Sequence, residues 1–369
     1  MSFRVLQADG PDADAWMEIV HRYPTHLRDV HYTPGYGRIY EHTYGQRPML
    51  AVMERDGNIV MHAFVRRALD DLAFLTQAKA TRRYEDIATP YGFGGPLLAH
   101  PEREGSAQLL RDFDAHLRAW GVAEGLPAEF VCLHPLLGNA EAVQAGGIAD
   151  PVPTKEVVVI DLSPSIEQLW SAVSRGTRSS IQRARREGVE VGRVAPDRAA
   201  LEVFQRLYLA TMARVGAAQR WLFPDAYFRE CVEQLGEEGS ALFFARLGDE
   251  VAAAYLLIYD ERTAYYHFGA SDERWLALRP NNLLMYETML WAKGRGCARY
   301  HLGGGVSSDE NDSLLRFKSS FGGGRTPLYT YGRILNADVY RELCDLKRSH
   351  EARSGAAAAS SDYFPLYRR

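Results

Sequence analysis

The sequence predicts an α/β (α+β) protein made of two similar domains, and three observations predict it. The chain has 369 residues and is 46% hydrophobic, enough to fill two cores. Two stretches, PMLAVMERDGNIVMHAFVRR and SALFFARLGDEVAAAYLLIYD, each set a pair of apolar runs around a turn dipeptide, Asp56-Gly57 and Gly248-Asp249. That is a hairpin signal, and it occurs once in each half. In the second half, runs of strand length alternate with helical periods. The expected division is a first domain at 1–155, a second at 156–350 and a flexible tail at 351–369.

Along the chain, Val5–Ala8 reads as a strand and Asp12–His21 as a helix. Pro48–Glu54 and Ile59–Arg67 form the first hairpin. Thr89–Leu98, TPYGFGGPLL, carries two prolines and three glycines and is expected to be an irregular loop that presents Tyr91 and Phe93. Ser106–Trp120 is amphipathic, Glu129–Leu133 a strand and Asn139–Gln144 a short helix. Lys155–Leu162 is a buried strand. Gly176–Gly188 is a helix capped by Thr177, and with Arg175 it forms the densest basic patch in the chain, including Arg178, Arg185 and Arg186. Its readings are a solvated face or a surface for phosphates. Ala200–Arg214 and Asp225–Leu235 are helices. Ala241–Arg246 and Val251–Tyr259 form the second hairpin, and Thr263–Gly269 is a strand. Asn281–Lys293 is a helix announced by Pro280 and an asparagine cap. The strand Leu328–Leu335 and the helix Val339–Arg348 follow. Glu351–Ser361 is rich in Ala and Ser and is expected to be disordered.

The stretch of greatest chemical interest is His301–Gly324, HLGGGVSSDENDSLLRFKSSFGGG. A strand, Ala298–Leu302, ends in Gly303, Gly304 and Gly305, which lets a ligand or another backbone approach closely. A helix from about Asp312 to Phe321 follows, with Asp312 as its cap and Leu314, Phe317 and Phe321 on its buried face. Lys318 lies one position off that face. Lys79, Lys155, Lys293, Lys318 and Lys347 are the only lysines among 43 basic residues. A lysine in an arginine-rich chain points to a need for a compact or titratable amine; the other reading is a solvated helix lysine.

The net charge of −4 does not suit a general nucleic-acid binder, so any RNA contact is expected to be a local patch. The four cysteines, Cys132, Cys231, Cys297 and Cys344, are scattered, which points to a reduced, cytoplasmic protein. Neither a signal peptide nor a membrane span is expected. There is no G-x-S-x-G, no P-loop, no strand-to-helix G-x-G-x-x-G and no H-E-x-x-H, and the histidines show no ligand spacing. What remains is a non-covalent reaction run by positioning and electrostatics.

Four stretches in order, SRGTRSSIQRARREGVEV, LYLATMARVG with FPDAYF, YYHFGASDERWLALRPNNLLMYETMLWAKGRG and YHLGGGVSSDENDSLLRFKSSFGG, resemble the Fem family of aminoacyl-tRNA-dependent transferases. That family lies within the GNAT-like acyltransferase superfamily. TPYGFGGPLL resembles a loop of its first half. The resemblance implies two tandem GNAT-like domains, each a mixed, mostly antiparallel sheet flanked by helices. It implies transfer of an amino acid from aminoacyl-tRNA to an acceptor amine on a peptidoglycan precursor, a peptide or a small amine. Phe317 and Lys318 match the family's F-K pair, whose lysine stabilises developing negative charge or holds phosphate. Arg214 matches an arginine that binds the acceptor. Tyr91, Tyr266 and His267 are cleft residues by position, with His267 either a general base or a packed strand histidine. Gly303, Gly304, Gly305 and Asn281 complete the substrate-binding set, and Arg175, Arg178, Arg185 and Arg186 would meet tRNA phosphates. No cofactor or metal is implied, the aminoacyl-tRNA being a co-substrate. The chain lacks room for the long helical arm of some Fem proteins. Two other readings remain: an acyl-CoA-dependent N-acyltransferase and a non-catalytic binding module. Arg279-Pro280-Asn281-Asn282-Leu283-Leu284 stands where a CoA-using enzyme has its glycine-rich phosphate loop, and it has no glycine.

Overall fold

The structure is a computed structural model and describes residues 2–78, 82–307, 309, 311–354 and 364–368. The chain divides into two compact units, Met1–Thr154 with Leu328–Arg369, and Lys155–Pro327. Each has the mixed, mostly antiparallel α/β architecture expected, and the two share one order of elements.

In the first unit the strand Ser2–Gln7 is followed by the helices Gly10–Arg22 and Pro34–Tyr44. The hairpin Arg47–Arg55 and Asn58–Ala68 comes next, then the strand Glu85–Ala88, the helix Ser106–Ala123 and the strand Ala128–Cys132. The hairpin turns on Asp56 and Gly57, both at positive φ (51° and 74°), as a tight two-residue turn with the twist of its strands requires. Glu85–Ala88 and Ala128–Cys132 run parallel. The remaining ladders are antiparallel, including the last strand, Gly324–Ile334, on Ala128–Cys132. Strand alternation sends Met49, Ala51 and Met53 to a core under the helix Ser106–Ala123. It sends Leu50 and Val52 to a second core under Gly10–Arg22. Burial on both faces explains why the strand reads as an unbroken apolar run.

The second unit repeats the plan with the strand Val189–Val194, the helices Arg198–Arg214 and Asp225–Leu235, and the hairpin Ser240–Leu247 and Glu250–Tyr259. The strand Thr263–Ser271, the helix Pro280–Gly294 and the strand Arg299–Gly304 complete it. Thr263–Ser271 and Arg299–Gly304 are its parallel pair, and Val152–Asp161 closes the sheet antiparallel to Arg299–Gly304. One face is filled by Leu283, Leu284, Met285 and Met289 of Pro280–Gly294, against Tyr255, Leu257 and Tyr300. On the other face the helices Arg198–Arg214 and Asp225–Leu235 bring Tyr208 and Phe228 edge-on to Phe268, with ring centroids 5.5 Å apart in each case.

The boundaries differ from expectation after Pro327. Leu328 onward belongs to the first unit rather than to a second domain running to 350. There Val339, Tyr340 and Leu343 of the helix Ala337–Ser354 pack on Leu69, Phe74, Leu75 and Tyr84. The expected tail is helical to Ser354, and the part of it at 355–363 lies outside the described residues. Phe364–Arg368 is packed rather than loose: Tyr367 Oη donates to Asp86 at 3.0 Å and Arg368 Nε donates to it at 2.6 Å. Asp86 is 1% exposed, and a carboxylate so buried requires such donors.

Candidate active site

The lysine helix is shorter than its sequence suggests, Ser313–Ser319, and Asp312 caps it as expected. One Asp312 oxygen accepts from the amides of Leu314 and Leu315, each at 2.9 Å. The other accepts from Val306 N and Ser307 N at 3.1 Å and from Ser307 Oγ at 3.2 Å. Burial opposes the charge, but these donors outweigh it and hold the carboxyl below its ordinary value. One side chain thereby fixes both the loop after the glycines and the start of the helix.

The buried face of this helix is not the one predicted. Leu315, Lys318 and Phe321 are buried, whereas Leu314 and Phe317 are half-buried. Lys318 therefore lies on the buried face itself, 4% exposed. Its Nζ donates to the carbonyl of Gly304 at 2.7 Å and stands 5.2 Å from the centre of the Tyr266 ring. Among the described residues no carboxylate lies within ion-pair distance of it. Burial, reinforced by the charge of Lys155 and only partly opposed by Asp312, lowers its pKa to about 7. A compact amine poised between its two charge states is the main chemical feature of this unit.

The glycines make room for the chain's own atoms. Gly303 has φ +72°, and a Cβ there would lie 3.4 Å from Lys318 Nζ. A Cβ at Gly304 would come within 2.7 Å of the Glu156 carbonyl, and one at Gly305 within 2.4 Å of the Asp312 carboxylate. Phe317 meets Phe321 edge-on at 5.3 Å, at the margin of the core. Tyr266 packs edge-on to Tyr255 at 4.6 Å, and Tyr255 Oη donates to the carbonyl of Asn281 at 3.2 Å. Lys318, Tyr266, Tyr255 and Asn281 thus form one connected neighbourhood. The expected asparagine cap is absent: the helix starts from Arg279 in the left-handed region, with Pro280 first.

The structure does not bring His267 to Lys318. Leu256 pairs with Phe268 and Leu257 with Tyr266, so His267 is the extra residue of a bulge. Tyr266 joins the core under Pro280–Gly294, while His267 Nε2 hydrogen-bonds Tyr227 Oη at 2.9 Å on the opposite face. The packed-histidine reading is the one the contacts favour. Arg214 lies at the end of its helix, with Nη1 3.1 Å from the Ser271 carbonyl and Nη2 3.0 Å from Ser271 Oγ. Ser271 lies five residues along the same strand from Tyr266. Tyr91 belongs to the first unit and is 39% exposed. Its carbonyl accepts from Tyr40 Oη at 3.1 Å and from Tyr36 Oη.

Of the five arginines on the basic helix, Arg175–Arg186, the four expected to meet tRNA separate into two kinds. Arg178 Nη1 reaches the carbonyls of Trp170, Ser171 and Val173 at 3.3, 2.9 and 2.7 Å, closing the end of the helix Ile166–Ala172. Arg185 is paired with Glu287 at 2.6 Å. Arg175 and Arg186 are exposed and make no ion pair among the described residues. The helix is capped by Ser174, not Thr177. Thr177 Oγ1 instead donates to Ser320 Oγ at 2.8 Å, and Ser174 N donates to the Ser320 carbonyl at 2.8 Å. The basic helix is therefore fastened to the end of the helix that carries Lys318.

Sequence reasoning missed two groupings. The stem of Lys155 lies beside Gly304, where a Cβ would meet its Cδ at 3.2 Å, and its charge acts on Lys318; the scarcity of lysine is its one signal in the sequence. In the first unit Asp29, His31 and His134 converge, each about 2–3% exposed. Asp29 lies 2.6 Å from His31 Nδ1 and 3.1 Å from His134 Nε2. Leu136 N donates to His134 Nδ1 at 3.2 Å, so the His134 proton is on Nε2, facing Asp29. That suits a carboxylate bridging two imidazoles better than a metal ion, for which Nε2 must be bare.

A family model described as an acetyltransferase (GNAT) domain matches residues 175–319, from the first basic-helix arginine to just past Lys318. The UDP-N-acetylmuramoylpentapeptide-lysine N(6)-alanyltransferase of Weissella viridescens is 28% identical over 217 residues, 57% of this chain and 62% of that one. The match thus spans less than two thirds of that relative. The crystal structure of FemX superposes with a TM-score of 0.68 at 17% identity, over 93% of this chain and 99% of that one. L-PGS from Bacillus licheniformis does so with 0.53 at 12% identity, over 90% and 93%. No helix among the described residues is long and apolar enough to cross a membrane.

Proposed function

We propose that this chain acts as a Fem-like transferase of the GNAT superfamily and moves an amino acid from aminoacyl-tRNA to an acceptor amine, a reading that its similarities to proteins of that kind support. The acceptor amine attacks the ester carbonyl directly. An amide forms, the bond to the ribose oxygen breaks, and that oxygen takes up the proton the amine loses. The observation that carries the reading is Lys318: a buried lysine with no carboxylate in ion-pair reach among the described residues, its amine at Gly304. A fixed donor in a low-dielectric setting stabilises a developing oxyanion far more than one in water. Phe317 packs beside it, and Tyr266 keeps its ammonium in place. Arg175 and Arg186 supply cations for the tRNA backbone, on a helix fastened to the lysine helix. Arg214, some distance along the sheet, anchors a remote part of the acceptor. The acceptor is an amine on a peptidoglycan precursor, as the name of the Weissella relative suggests, or on a peptide or small molecule. No cofactor or metal enters the scheme.

The test is a donor comparison. The protein is incubated with charged tRNAs or with acyl-CoAs, together with candidate amines, and amide products are followed by mass. Consumption of aminoacyl ester with a matching amide supports the reading; consumption of acyl-CoA alone overturns it.

A further inference from the structure

The residues Phe364–Arg368 pack on the first unit as a short peptide packs in a groove. Gly332, in the strand Gly324–Ile334, leaves a notch that the Phe364 ring fills, and a Cβ at Gly332 would overlap that ring. Phe364 also stacks on Tyr340, with ring centroids 5.9 Å apart. Tyr340 Oη accepts from Leu366 N at 3.1 Å, and the Tyr340 ring takes Tyr367 edge-on at 5.5 Å. Tyr367 is 1% exposed, whereas Leu366 between the anchors is 40% exposed. Arg368 forks onto Asp86, Nε donating at 2.6 Å and Nη2 at 3.0 Å, and Nη2 also reaches the Ala68 carbonyl at 3.3 Å. Buried aromatic anchors and a forked arginine are the groups that give a short peptide its affinity.

Two features make this segment separable from the fold. Residues 355–363 stand between it and the helix Ala337–Ser354. The segment is held by side chains, and no sheet ladder among the described residues includes it. Its departure also leaves Asp86 with a partner. Arg67, on the neighbouring strand, donates to both Asp86 oxygens at 2.9 and 3.2 Å, so the buried carboxylate is never without a cation.

We propose that the groove of Gly332, Tyr340 and Asp86 is a peptide-recognition site for the pattern Phe-Pro-x-Tyr-Arg, filled in cis by the chain's own segment and open to the same pattern supplied in trans. A short linker sets an effective concentration on the order of millimolar. Against a trans Kd of roughly 50 μM, that favours the cis segment about twentyfold. Asp86 lies on the strand Glu85–Ala88, which runs directly into the loop of Tyr91. The occupant of the groove therefore braces that loop.

The test uses the full chain carrying Phe364→Ala, Tyr367→Ala and Arg368→Ala together, which empties the groove, and a fluorescent peptide of residues 362–369, DYFPLYRR. The expected result is saturable binding at tens of micromolar, and binding at least about tenfold weaker to the parent chain, whose own segment competes. Replacing the peptide's last Tyr and the Arg after it by Ala, or adding Gly332→Ala to the chain, weakens binding at least about tenfold. Bound peptide also slows amide exchange over residues 85–98. Thermal melts show that each variant is folded, and Arg368→Ala alone serves the same comparison where the triple variant is not. No binding to a folded variant, equal binding by variant and parent, or binding indifferent to Gly332→Ala overturns the site. Amide exchange unchanged over residues 85–98 overturns the brace. Neither measurement requires acyl transfer, so their failure leaves the proposed reaction standing, and its failure leaves the groove standing.

Discussion

Lys318 donates its hydrogen bond to Gly304 from a position 4% exposed, so a group that is normally charged is held where charge is costly. Its pKa of about 7, against the ordinary 10.5, sets the sign of the effect. Below pH 7 both folded and unfolded chains carry the proton, and the fold bears the full cost, on the order of 3–5 kcal/mol. Between about 7 and 10 the folded amine is neutral while the unfolded one still binds a proton, so stability rises with pH. Lys318→Met should therefore raise the melting temperature most below pH 7 and little above pH 10, as thermal melts across that range would read. Equal stabilisation at every pH would contradict it.

Asp312 should behave in the opposite sense. Its folded pKa is lowered, so its contribution is present above the ordinary carboxylate range and is lost as pH falls through the folded value. Asp312→Asn sets an amide against the donors of Val306 and Ser307 and should cost about 1–3 kcal/mol. Denaturant melts at pH 7 and pH 3 would compare the two; a cost that does not shrink in acid would count against the assignment.

The arginines predict two different outcomes. Arg175→Ala with Arg186→Ala should weaken tRNA binding and reduce the steepness of its salt dependence by about one per lost phosphate contact. Arg178→Ala should instead lower stability by roughly 1–2 kcal/mol, through lost hydrogen bonds to three carbonyls. Filter binding from low to high salt, with melts alongside, separates the two; a salt slope unchanged in the double variant removes the basic helix from the tRNA surface.

His267 tests the face assignment. Its bond to Tyr227 places it away from the core face that carries Tyr266. His267→Gln should leave the transfer rate within about threefold and its pH profile unmoved, whereas a general base would lose about a hundredfold or more.

Local chemistry made much of the fold legible. Asp56-Gly57 located one hairpin, and Asp312 the start of the lysine helix. The helices Pro34–Tyr44 and Ile166–Ala172 had signals that were passed over: Thr33 before Pro34, and a capping box from Ser165 to Gln168. The return of Leu328–Ile334 to the first unit is hidden, because strand pairing between residues as far apart as Ala128 and Ile334 leaves no local trace. For the site, the F-K pair and the glycines were visible. The burial of Lys318 is not legible, because Leu314, Phe317 and Phe321 offer as regular an apolar stripe as Leu315, Lys318 and Phe321, the face that is in fact buried. Lys155 could be found only once the strands were paired.

The most direct measurement is the single-turnover rate of amide formation from aminoacyl-tRNA, with and without Lys318→Met, alongside the tRNA dissociation constant of each. The account predicts a rate lower by at least about a hundredfold in the folded variant, since one fixed oxyanion donor is lost. Saturating tRNA should not restore it. A variant that transfers within about threefold of the parent would contradict a catalytic role for Lys318, and with it the proposed mechanism.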